Sequence, residues 1–299
     1  MTSAVTSLAL TLAASAVLFG APQAKAAETF TLVLTSRSDT PADVFATTYG
    51  SISDFLASPP AVGGDFSGID IAPAYQLSGF DIDEAGKTYL LLSTGENAAA
   101  GSEVFLATYE SYADFIGSPP AVGGAFSGID IGAGYEVVGF DVYAGEPHLL
   151  LATRVDGVSG SEVFLTTFDS LAAFIASPPA VGGSFSGIDI GPGYRVSGFD
   201  IFDDRFYLLL STRENGVSGS EVFLTSYDSI ADFIGSPAAV GGAFSGIDIG
   251  PGYRVADFAI VGNDPVGGIP EPSAWGLMIL GFAGLGSALR RRLREPMIA

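Results

Sequence analysis

The chain has 299 residues, 48% of them hydrophobic, and carries 33 acidic against 12 basic residues for a formal net charge of -21. That apolar content excludes a disordered polymer and suits one large core or two modest ones, while the negative balance repels nucleic acid and anionic lipid and fits calcium or cationic partners, or simply solubility, better. Cysteine is absent, which excludes a disulfide framework, a thiol nucleophile and a thiolate metal site, so stability has to come from packing, aided by bound ions.

In chain order, residues 8–19 form a short apolar run followed by Ala24-Lys25-Ala26, the small-x-small pattern that signal peptidase reads. Residues 1–26 are therefore expected to be an export signal, with the mature chain starting at Ala27. No Lys or Arg precedes the apolar run, so its positive flank is the terminal amine alone.

Residues 27–261 are built from repeats. The phrase "SPPAVGGAFSGIDIGAGY" at 118–135 has three close copies, and their aspartates, Asp70, Asp130, Asp189 and Asp248, are separated by 60, 59 and 59 residues. Each unit also holds two runs such as "FYLLLSTREN" (206–215) and "SEVFLTSYDS" (220–229), bounded by Gly and Asn, which predict a β-hairpin. Both faces of these strands are apolar, as expected of strands sandwiched between layers. Ser51, Ser111, Ser170 and Ser229 then each precede a short helical pattern, with Asp54, Asp114 and Asp232 placed for the first turn. Ile230, Phe233 and Ile234 fall on one face of that helix. Ser-Pro ends it, a Gly pair marks a bend, and another strand candidate follows, for example "YRVSGFDI" at 194–201.

The repeat region begins partway through a unit, at the strand near Phe30, and ends at 253–261 with the strand that should precede it. Each end supplies what the other lacks, so the expected fold is mainly β, a closed four-repeat β-propeller-like domain with about 59 residues per repeat and one short helix in each. An open stack of β-rich repeats, or two packed two-repeat domains, would also accommodate the pattern. The closed ring requires residues 30–35 to touch 253–260. The order of strands followed by a short helix is similar to that of hemopexin-type propellers, a likeness of element order and not of residue motifs.

A Gly/Pro linker, 262–273, leads to the end of the chain, 274–299. Residues 274–289 are uncharged and precede Arg290, Arg291, Arg292 and Arg294, the pattern of a short membrane stop with its positive end in the cytoplasm. At roughly 1.5 Å per residue this helix would cover about 24 Å, a marginal span suited to transient inner-membrane anchoring. Pro270-Glu271-Pro272, then the small apolar helix, then the arginine cluster closely resemble the PEP-CTERM sorting signal of Gram-negative bacteria. That resemblance, confined to about the last 30 residues, implies cleavage near the Pro-Glu-Pro element by exosortase and release to the outer surface. Without Lys25, the four tail arginines, Glu271 and Glu295, 7 basic and 31 acidic residues remain, a net charge near -24.

Asp70, Asp130, Asp189 and Asp248 recur around such a ring and offer oxygens to a hard cation such as calcium; alternatively each accepts hydrogen bonds from amides of its own Gly-rich turn. Asp81, Asp141 and Asp200 end the "GFD" strands and are replaced by Ala259 in the last unit, which points to solvated strand ends. His148, the one histidine, stands in register with Tyr89 and Tyr207 and is assigned to packing. Tyr75, Tyr135, Tyr194 and Tyr253 recur after the Gly-rich phrase, as packing residues or as platforms for sugar stacking. Trp275 fits an interfacial anchor.

No Ser-His-Asp order, P-loop, dinucleotide fingerprint or zinc motif is present. Near-uniform units favour a non-enzymatic exported scaffold, structural or adhesive in an extracellular matrix, with no cofactor. The alternatives are a module that binds extracellular polysaccharide or calcium, and a hydrolase built on paired carboxylates.

Overall fold

The aliphatic and Thr-rich runs form strands in every unit, because β-branched and aromatic side chains fill a pleated surface that is covered on both sides. The computed structural model describes residues 28–36, 44–57, 65–66, 69, 71, 75–94, 104–117, 125–127, 129, 131, 135–153, 163–176, 184–186, 188, 190, 193–212, 222–235, 243–245, 247, 249 and 252–262. The expected export signal, the Pro-Glu-Pro element, the arginine cluster and Trp275 lie outside them. Among the described residues, no helix is long and apolar enough to cross a membrane.

The chain enters with β1 (Glu28–Ser36), β2 (Val44–Tyr49), α1 (Ile52–Leu56) and β3 (Asp65–Phe66). The second unit contributes β4 (Tyr75–Ile82), β5 (Thr88–Thr94), β6 (Val104–Tyr109), α2 (Tyr112–Ile116) and β7 (Ala125–Ser127). The third repeats this as β8 (Tyr135–Tyr143), β9 (Glu146–Thr153), β10 (Val163–Thr167), α3 (Leu171–Ile175) and β11 (Ser184–Ser186). The fourth has β12 (Tyr194–Phe202), β13 (Arg205–Thr212), β14 (Val222–Tyr227), α4 (Ile230–Ile234) and β15 (Ala243–Ser245), and β16 (Tyr253–Gly262) ends the described chain.

The protein is thus mainly β, with four antiparallel sheets of four strands that remain separate and do not merge into a barrel. Three sheets are contiguous in sequence, and the fourth has the order β16-β1-β2-β3. β16 pairs with β1 along its length, from Glu28 opposite Gly262 to Ser36 opposite Tyr253, so the contact required of residues 30–35 and 253–260 is present. Tyr253 sets its ring edge-on to Phe45 at 5.3 Å, as Tyr75 does to Phe105, Tyr135 to Phe164 and Tyr194 to Phe223. The split sheet is therefore packed like the others, and these tyrosines have packing partners.

Four apolar clusters hold the sheets together, each drawing on two neighbouring sheets. The Ile pairs of the repeated phrase, such as Ile188 and Ile190, are buried in them. Ser51, Ser111, Ser170 and Ser229 cap their helices by accepting from the amide three residues on, at 3.0–3.1 Å. Each helix buries one phenylalanine completely: Phe55, Phe115, Phe174 or Phe233. The helices also join units, since Ser245 on β15 donates to the Phe55 carbonyl at 3.1 Å and Ser186 on β11 to that of Phe233 at 3.0 Å.

The first strand of each sheet, β4, β8, β12 or β16, packs against its counterpart in the next, and β16 packs on β4 to complete the circuit. These strands approach closely because the position before Phe80, Phe140 and Phe199 is glycine. A Cβ on Gly79 would meet Leu91 Cβ and the Phe140 amide nitrogen at 3.0 Å; one on Gly139 would meet the Phe199 ring at 2.5 Å. Gly79→Ala is therefore expected to cost about 2–3 kcal/mol through overpacking against backbone that cannot yield. An unchanged urea midpoint for that variant would contradict the close approach.

Candidate functional site

The circuit of inner strands brings four carboxylates to its centre, on two levels. At the first, three units carry Gly79, Gly139 and Gly198, and the fourth carries Asp257. Two residues further along, three units carry Asp81, Asp141 and Asp200, and the fourth carries Ala259. The last unit has thus moved its acid by one side-chain alternation.

Asp257 fills the space beside Gly198. A Cβ on Gly198, whose φ is +142°, would collide with its carboxylate. Its Oδ2 accepts from the amides of Phe80 at 2.9 Å and Phe140 at 3.3 Å, and its Oδ1 from Phe258 at 2.9 Å. The inner strands pair on one side only, so their other amides point toward the axis and need acceptors there. A side chain on each unit would overfill this level, whereas one carboxylate serves three units. Asp257 was not a sequence-level candidate; the change from "GFD" to "DFA" in the last unit was the available signal.

On the second level the carboxylates reach sideways. Asp81 Oδ2 accepts from the Val142 amide at 3.0 Å, the Ile201 amide bonds Asp141, and Asp200 Oδ2 accepts from the Ile260 amide at 2.8 Å. Each acid therefore joins its strand to the next one, and Ala259 leaves the fourth link unmade. The expectation of solvated strand ends is overturned: Asp81, Asp141 and Asp200 are 3%, 3% and 2% exposed. Strand ends that would face water in an open sheet face one another here, because four inner strands surround one axis.

Their oxygens lie within 4.8 Å of one another. Asp141 Oδ2 and Asp200 Oδ1 are buried with no hydrogen-bond partner. Burial, acting chiefly, pushes the Asp81 pKa up to about 7, against the amides of Val142 and Ile82. Burial first and the neighbouring carboxylates second hold Asp141 and Asp200 well above the ordinary value, and burial does the same to Asp257.

A cavity of about 630 Å³ opens above these three acids. Seven of its fifteen lining residues are Asp or Glu and none is Lys or Arg, so its charged lining is entirely acidic. Its rim is formed by the turns after the inner strands, where Ala144, Asp203 and Asp204 take φ of 53–59°. Such left-handed residues are the mark of tight hairpin turns. Tyr143 donates to Asp204 Oδ1 at 2.6 Å across the rim, which raises its own pKa to about 12.

Asp70, Asp130, Asp189 and Asp248 fall outside the described residues, although the Ile residues flanking each of them are buried. His148 sits opposite Asp141 across the β8–β9 pair, where Tyr89 and Tyr207 face Asp81 and Asp200. It is 3% exposed, its Nδ1 bonds Thr167 Oγ1 at 2.9 Å, and burial lowers its pKa to about 4. A neutral, enclosed imidazole is a packing residue at this position. No protein-family model matches the chain, and no curated protein matches its sequence.

Proposed function

We propose that the four sheets are the blades of a closed four-bladed β-propeller, and that this propeller is an exported, non-enzymatic scaffold displayed or released at the cell surface. What carries the reading is quasi-fourfold repetition closed by one strand pair: the cap, the Tyr–Phe contact and the inter-sheet apolar clusters recur unit by unit, and β16 joins β1. Such a build spends the sequence on mutual burial around an axis, as a structural or adhesive module does. The signal-like residues 1–26, the PEP-CTERM-like Pro270-Glu271-Pro272 element and the arginine-ended apolar segment 274–294 supply the addresses. Signal peptidase and exosortase are then its processing partners, and extracellular polysaccharide the surface it meets in a matrix. A binding role is the second reading, favoured by the acid-lined axial cavity.

The addresses are tested by locating the protein in producing cells with and without exosortase and determining its C-terminal mass. The expected product ends near residues 270–272 and reaches the outer surface only when exosortase is present. A full-length product persisting in the inner membrane of exosortase-containing cells contradicts the export route.

A further inference from the structure

We propose that Asp81, Asp141 and Asp200 form a calcium site on the propeller axis, at the floor of the acidic cavity. Two independent features point to a ligand there. First, Asp141 Oδ2 and Asp200 Oδ1 belong to side chains 3% and 2% exposed, and neither oxygen has a hydrogen-bond partner. Buried acceptors of that kind are costly unless something satisfies them. Second, the space above is a cavity of about 630 Å³ whose charged lining is entirely acidic, so water and a cation reach the three carboxylates while anions are repelled.

Geometry and donor type name the ion. Three oxygens no more than 4.8 Å apart fit on a circle of radius about 2.8 Å, and a small side-chain rotation brings them to the 2.3–2.6 Å of calcium–oxygen bonds. Magnesium, at roughly 2.0–2.1 Å and with strict octahedral demands, needs a larger contraction. An all-oxygen set without His or Cys disfavours zinc and copper. The remaining oxygens are already spoken for: Asp81 Oδ2 and Asp200 Oδ2 hold the amides of Val142 and Ile260. Each ligand is thereby fixed to the neighbouring inner strand, and an ion held by all three ties three units together. The fourth unit carries Ala259, which supplies no ligand oxygen, so water from the cavity completes the shell. This site differs from the repeated Asp70, Asp130, Asp189 and Asp248 set, and it stands or falls independently of export.

The test is titration of the chelator-treated full-length chain with calcium chloride at pH 7.5, followed by calorimetry and thermal unfolding. One calcium per chain is expected at the axis, with Tm rising by several degrees at saturation and magnesium at least tenfold weaker. Asp200→Asn keeps an acceptor for Ile260 and removes one charge; it is expected to weaken calcium at least tenfold while melting no lower than wild type in chelator. Ala259→Asp restores the missing fourth carboxylate and is expected to tighten calcium and enlarge the Tm rise. A wild-type Tm indifferent to millimolar calcium overturns the proposal. So does an Asp200→Asn or Ala259→Asp protein whose calcium response equals that of wild type.

Discussion

Replacing Asp257 by alanine should lower the folding free energy by about 3–5 kcal/mol at pH 4, an effect out of proportion to the loss of one carboxyl group. The amides of Phe80, Phe140 and Phe258 all end on this side chain, and a buried donor left without an acceptor costs about 1–3 kcal/mol. At pH 4 the carboxyl is protonated in the fold, since burial holds its pKa well up, so the loss measures hydrogen bonding and not charge. As pH rises the difference should shrink, because wild type increasingly bears the cost of a buried acid that the variant lacks. Asp257→Asn keeps an oxygen for the Phe80 and Phe140 amides but turns its NH2 toward that of Phe258, and should fall between alanine and wild type. Urea midpoints at pH 4 that place Asp257→Ala beside Asp257→Asn would show that the axial amides do not depend on this residue.

The second large effect is the pH profile itself, read in chelator. An acid with a higher pKa in the fold than in the unfolded chain binds more protons when folded. Its stabilising contribution is complete below the unfolded value near 3.8 and is lost as pH climbs through the folded value, about 7 for Asp81. The slope is about 1.4 kcal/mol per pH unit for each such group. Asp81 alone then accounts for about 3 kcal/mol between pH 4 and 7, with Asp141, Asp200 and Asp257 acting in the same direction. The rim acids Asp83, Glu84, Asp203 and Asp204 add no positive charge to offset this. Stability should therefore fall from pH 4 toward neutrality, the reverse of ordinary acid denaturation, and Asp200→Asn should flatten the fall. A urea midpoint that rises from pH 4 to 7 would contradict the burial of these acids.

Much of the fold was readable because it rests on local chemistry repeated four times. The serine caps depend on a hydroxyl three residues from an amide, and all four form as the sequence implies. The register that set His148 against Tyr89 and Tyr207 follows from alignment of the units, and the strand pairs reproduce it. The β1–β16 pair was legible from a unit divided between the two ends of the repeat region. The axial acids were not. Whether an aspartate at a strand end is hydrated or enclosed depends on what three other units place beside it. Nothing within "GFDI" records that the Val142, Ile201 and Ile260 amides will each need a carboxylate from the preceding sheet. Asp257 escaped notice for a related reason. Read alone, "ADFA" is one acid in a strand, and only beside Gly198 and the amides of Phe80 and Phe140 does it become the acceptor at the centre of the inner strands.

Glu28 and Gly262 face each other across the β1–β16 pair, and Gly262 lines the acidic cavity. Both ways out of the domain therefore open onto the same pole. A tether leaving at either place departs from the pole that bears the acidic cavity, and the opposite pole lies farthest from it.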